Sequence, residues 1–126
     1  MVSHAATGPT GKYHKQIGGN VCVQVDWLNG AANAAQPINI LIICEQEIES
    51  ITLTVKRSSP MHYEITEDSY PAYEDFINFI EHGVCRGIIK VDAGDLRDYD
   101  YIAQGNIVRT HFGPEPHEDL TSGSCQ

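Results

Sequence analysis

The chain has 126 residues, the size of one domain that can bury its own core without an obligatory metal or disulfide. Seventeen Asp and Glu against eight Lys and Arg give a formal charge of −9, which excludes a generic nucleic-acid binder and disfavours an anionic membrane surface. A hydrophobic fraction of 41% with a mean hydropathy of −0.27 is that of a soluble globular chain rather than a disordered one.

Residues 1–19 carry no hydrophobic period and no apolar signal-like stretch. They read as a flexible lead-in to a cytoplasmic protein. In "VCVQVDW", Val21, Val23, Val25 and Trp27 alternate with polar positions, which predicts a half-buried strand. "LNGAANAAQP" reads as a surface loop. "INILIIC", residues 38–44, is a nearly continuous branched apolar run and predicts a strand covered on both faces. "ITLTVKR" alternates again, with Ile51, Leu53 and Val55 inward, and pairs with the preceding run through the turn "EQEIES". A short strand at "MHYEIT" follows.

Helix signals come next. Ser69 is placed as an N-cap, Pro71 in the first turn, and Tyr73, Phe76, Ile77 and Ile80 on one apolar face. Gly83 is placed as a left-handed C-cap. "CRGIIKV" reads as a strand, "DLRDYDYIAQG" as a second helix capped by Asp95, and "NIVRTHF" as a last strand. Residues 113–126 read as a disordered acidic tail.

The order β-β-β-(β)-α-β-α-β over residues 20–112 predicts an α+β two-layer sandwich, a mixed sheet of about five strands with two helices. Helices on one face leave the other face uncovered, which points to a homo-oligomer. The four cysteines, Cys22, Cys44, Cys85 and Cys125, have no paired spacing and are expected as free thiols.

The residues richest in chemistry are few. Asp92 and Asp95 flank a glycine turn, a pattern that suits a cation site, a shared proton or simple helix capping. His82 and Cys85, with Arg86 beside them, are a thiol and an imidazole close in sequence. His111 and His117 lie near Glu115, Glu118 and Asp119, without the ligand spacing of structural zinc. No metal and no cofactor is expected, and no nucleophilic serine motif is present.

"GIIKVDAGDLR" resembles the loop of FtsZ and its tubulin relatives that reads G-x-x-N-x-D-x-x-D before a helix. The resemblance implies that Asp92 and Asp95 would act on a neighbouring subunit's nucleotide. Lys90 stands where that family has asparagine, and the glycine-rich phosphate loop is absent, so it implies an assembly module without GTPase activity.

Two functional expectations follow. The first is a non-enzymatic acidic binding protein, a regulatory or assembly module whose partner has a basic surface. The second is a small enzyme or ligand site at a subunit boundary, with Asp92 or Asp95 as base or cation ligand and His82, Cys85 or His111 converging on it.

Overall fold

The computed structural model describes residues 8–28, 35–83 and 85–125. It consists of nine strands and one α-helix: β1 (Gly11–Gly18), β2 (Val21–Trp27), β3 (Ala35–Cys44), β4 (Glu47–Glu49), β5 (Leu53–Ser59), β6 (His62–Ile65), a 3-10 turn (Glu67–Ser69), α1 (Tyr70–His82), β7 (Asp98–Ile102), β8 (Ile107–Thr110) and β9 (Glu118–Ser122). Every strand pairing is antiparallel. The sheet runs β2-β1-β9-β8-β7-β6-β5-β3, and a β2–β3 pairing closes it on itself. The result is an eight-stranded up-and-down barrel, with β4 an extra strand on the second half of β3. The predicted α+β sandwich is therefore wrong: the protein is mostly β, with a single α-helix among the described residues.

Two misread segments account for the difference. "DYDYI" is strand β7, not a second helix; Tyr99 faces inward while Asp98 and Asp100 face outward, a period of two. Helical spacing of Leu96, Tyr99 and Ile102 is equally present in those letters, and pairing with β6 and β8 decides between the two. "CRGIIKV" is a run of turns rather than a strand, anchored by Ile88 N–H and Ile89 N–H donating to the Cys85 carbonyl. The barrel also reaches into both terminal segments: residues 11–18 form β1 and residues 118–122 form β9.

The interior follows strand alternation. Tyr13, Val23, Val25, Trp27, Ile38, Ile40, Ile42, Leu53, Val55, Tyr63, Tyr99, Val108 and Leu120 are all buried in one cluster. Trp27 sits edge-on to Tyr63 and Tyr99, with ring centroids 5.3 and 5.6 Å away. An eight-stranded barrel is just wide enough for such side chains to fill it. On β3 the even positions are buried and Asn39, Leu41 and Ile43 only partly so, which corrects the expectation of cover on both faces. Ile51, expected inward, precedes β5 and is exposed.

The β6–β7 connection carries α1 across one end of the barrel. Tyr73, Phe76, Ile77 and Ile80 form its buried face, as their spacing predicts. Ser69 does not cap the helix with its side chain; its Oγ accepts from Thr54 N–H of β5 at 2.9 Å. Gly83 is not left-handed (φ −102°). It is required for a different reason: a Cβ there would stand 2.3 Å from the Phe79 carbonyl oxygen.

The expected free thiols are paired. Cys44 at the end of β3 is bonded to Cys85 after the helix, and Cys22 on β2 to Cys125 beyond β9, with Cα separations of 5.4 and 5.9 Å. Only the folded chain brings these distant cysteines together, so spacing could not reveal the pairs. Among the described residues, no helix is long and apolar enough to cross a membrane.

Candidate functional site

Asp95 and His111 meet at the helix-covered end of the barrel. His111 Nε2 lies 3.1 Å from Asp95 Oδ1. Asp95 Oδ2 accepts from the backbone N–H groups of Asp92 (2.9 Å) and Gly113 (3.3 Å). Burial pushes the Asp95 carboxyl above the usual carboxylate range, opposed by those two N–H groups and by His111. The turn around it is tied down on every side. Tyr73 donates to the Asp95 carbonyl and Tyr99 to the Leu96 carbonyl, both at 2.6 Å. Leu96 N–H donates to the His111 carbonyl at 2.8 Å. Leu96 itself is fully buried in the left-handed region, φ 61°, a strained conformation for a bulky residue that these bonds hold in place.

An Asp–His pair invites comparison with a catalytic dyad, in which one ring nitrogen is oriented and the other faces substrate. Here both nitrogens of His111 are engaged: Nδ1 lies 2.8 Å from the Pro116 carbonyl oxygen. The carbonyl only accepts, so Nδ1 carries a proton, and the second contact needs one more, on Nε2 or on Asp95. The ring is thus held between the Pro116 carbonyl and the Asp95 carboxylate. The pair fastens the β8–β9 turn to the β7 entrance.

The other predicted residues lie elsewhere. Asp92 is half exposed and paired with Lys90 at 3.3 Å. It lines a surface groove of about 380 Å³ with Glu81, Arg86 and Lys90, which His111 does not join. His82, at the end of α1, is exposed beside Glu81 at 3.5 Å. Cys85 is in the disulfide to Cys44 and has no thiol to offer. The structure thus brings together Asp95, His111 and the Asp92 backbone, and separates His82 and Cys85 from them. The helix that the FtsZ-type loop requires after Asp95 is replaced by strand β7.

A second cluster lies on the outer wall of β6 and β7. In register, His62 stands opposite Asp100 and Glu64 opposite Asp98. His62 Nδ1 is 2.6 Å from Asp100 Oδ1, and its Nε2 is 3.7 Å from Glu64 Oε2. His62, Glu64 and Asp98 each bring a nitrogen or oxygen within 4.8 Å of the others. Arg97 Nε is 3.5 Å from Asp98 Oδ1 without forming a hydrogen bond, and that oxygen is shut off from solvent. On the next strands Arg109 is committed to Asp119 by two contacts, 2.7 and 3.2 Å. Three carboxylates therefore share a patch two residues wide with one guanidinium and one imidazole. The sequence signal for it is "HYE" and "DYD", polar–aromatic alternation that puts the tyrosines inside and the acids together outside.

The chain matches no protein-family model, and no curated protein or solved structure matches it.

Proposed function

We propose that this is a non-enzymatic binding protein that takes a cationic ligand on the outer wall of β6 and β7. The observation that carries this reading is the register pair Glu64–Asp98, two like charges directly opposite on neighbouring strands. Such a pair costs stability unless a cation answers it. Arg97 stands 3.5 Å from one Asp98 oxygen, Lys56 is across from Glu64 at the edge of the patch, and Asp100, opposite Arg109, adds a third acid. The groups that an enzyme reading would use have structural partners: Cys85 is in a disulfide, and His111 is held by the Pro116 carbonyl on Nδ1 and beside Asp95 on Nε2. The uncovered face that pointed to a second subunit belonged to the sandwich, and the barrel encloses its apolar face within itself. Two disulfides support an oxidising compartment rather than the cytoplasm.

The test is binding of an oligolysine peptide, followed over a range of salt, to the wild type and to Glu64→Gln/Asp98→Asn. The control is Glu74→Gln/Asp75→Asn, which removes the same formal charge from exposed positions of α1. The wall variant is expected to bind at least tenfold more weakly and to melt at higher temperature in the absence of ligand. Equal weakening by the control, with no gain in melting temperature for the wall variant, would sink the reading.

A further inference from the structure

We propose that the wall of β6 and β7 is a site for one divalent transition-metal ion of the zinc type, ligated by His62 Nε2, Glu64 and Asp98. This rests on the reading of the wall as a cation-binding surface and narrows it to a chemical class. The ligand set mixes one imidazole with two carboxylates, and the donor atoms already lie within 4.8 Å of one another. A tetrahedral zinc with ligand bonds of about 2.0–2.2 Å would draw them closer by rotamer changes alone, because two adjacent paired strands fix the backbones.

The tautomer is set for ligation. A neutral His62 that donates from Nδ1 to Asp100 leaves the Nε2 lone pair on the side of Glu64. A carboxylate behind the non-ligating nitrogen is the usual partner of a metal-bound histidine, so Asp100 is a positioning residue. The Asp98 carboxylate supplies an observation independent of that bond: Oδ1 is hidden from solvent and accepts no hydrogen bond. Such an oxygen is costly unless a cation meets it, and the one cation beside it, Arg97, stands off at 3.5 Å.

Charge agrees with geometry. Glu64, Asp98 and Asp100 put three carboxylates within the patch, and Arg97 stands 3.5 Å from one of them. Lys56, opposite Glu64 on β5, and Arg109, opposite Asp100 on β8 but bonded to Asp119, are cations at the edges of the patch. Imidazole ligation favours zinc and its transition-metal neighbours over magnesium, and three protein donors are too few for the oxygen-rich shell of calcium.

The experiment is calorimetric titration of the whole oxidised chain, stripped with chelator, with zinc chloride near neutral pH. The expected result is one ion per chain. His62→Ala and Asp98→Asn should each weaken binding at least tenfold, and Asp100→Asn by a smaller factor. His111→Gln and His117→Ala, outside the patch, should leave affinity unchanged. Cobalt substitution adds a spectroscopic readout, since a low-coordinate site gives strong visible absorption that Asp100→Asn should perturb. No saturable zinc binding, or binding unaffected by His62→Ala and Asp98→Asn, would overturn the proposal. If zinc fails while oligolysine still distinguishes the wall variant from its control, the cationic wall stands and the metal falls. If both fail, both fall.

Discussion

Asp95 is the residue on which the helix-covered end of the barrel turns. Its carboxylate receives two backbone N–H groups and faces His111, so replacement by Asn offers an NH2 group where an acceptor is needed. Asp95→Asn should cost about 1–3 kcal/mol, read from urea unfolding. The pH dependence has a defined sign. The folded carboxyl holds its proton above the ordinary value of 3.8, so its contribution favours the fold below that value and is lost as pH rises through the raised one. Asp119 works in the opposite sense: Arg109 holds its carboxyl low, and that stability is lost as pH falls through the lowered value. Asp95→Asn should remove the first slope and leave the second. A different strain sits in the β5–β6 hairpin, where Met61 follows Pro60 with φ 65° on the surface. Position i+2 of a Pro-initiated type II turn prefers glycine. Met61→Gly should therefore stabilise the protein by about 1 kcal/mol, measured by the same unfolding curves.

At the scale of elements, the two disulfides differ in exposure and so in chemistry. Cys44 and Cys85 are both buried, while Cys125 is partly exposed beside buried Cys22. Mild reduction of the native protein, with alkylation and mass mapping, should open Cys22–Cys125 first and Cys44–Cys85 only on unfolding. Replacing Cys44 and Cys85 together by Ser should cost roughly 2–5 kcal/mol, because the bond ties the post-helix turns to β3. The same elements show what the letters reveal. Strand β2 and helix α1 are legible because their apolar residues keep one period over seven or more positions, and β3 because its branched apolar run is long, although that run hides which face is inside. β7 is not, since five residues of alternating Asp and Tyr fit a helix as well until strands pair on both sides. Asp95 is legible as a special residue from its glycine turn, but His111 lies sixteen positions on and reaches it only through the fold. The outer-wall cluster escapes for the same reason: its four residues come from two strands separated by the whole helix.

For the whole molecule, the tyrosines set an upper pH limit. Burial raises the phenols of Tyr13, Tyr63, Tyr73 and Tyr99 above the ordinary value of 10.0. In the unfolded chain they ionise near that value, while in the barrel they stay protonated. Stability should fall progressively as pH rises above about 10. Phenolate absorbance should then appear together with loss of the fold rather than before it; early ionisation of these four without unfolding would contradict their burial.

The strand that closes the barrel has a consequence for how the protein comes into being. β9 is the last strand in the chain, and it is the one that joins β8 to β1, the first. The ring cannot close before β9 emerges, since β1 has no neighbour on one side until then. Until then the nascent chain carries two open edges of unpaired amides. A growing polypeptide of this design depends on being shielded, by a chaperone or by speed, from the emergence of β1 to that of β9, and the Cys22–Cys125 bond can form only after that interval.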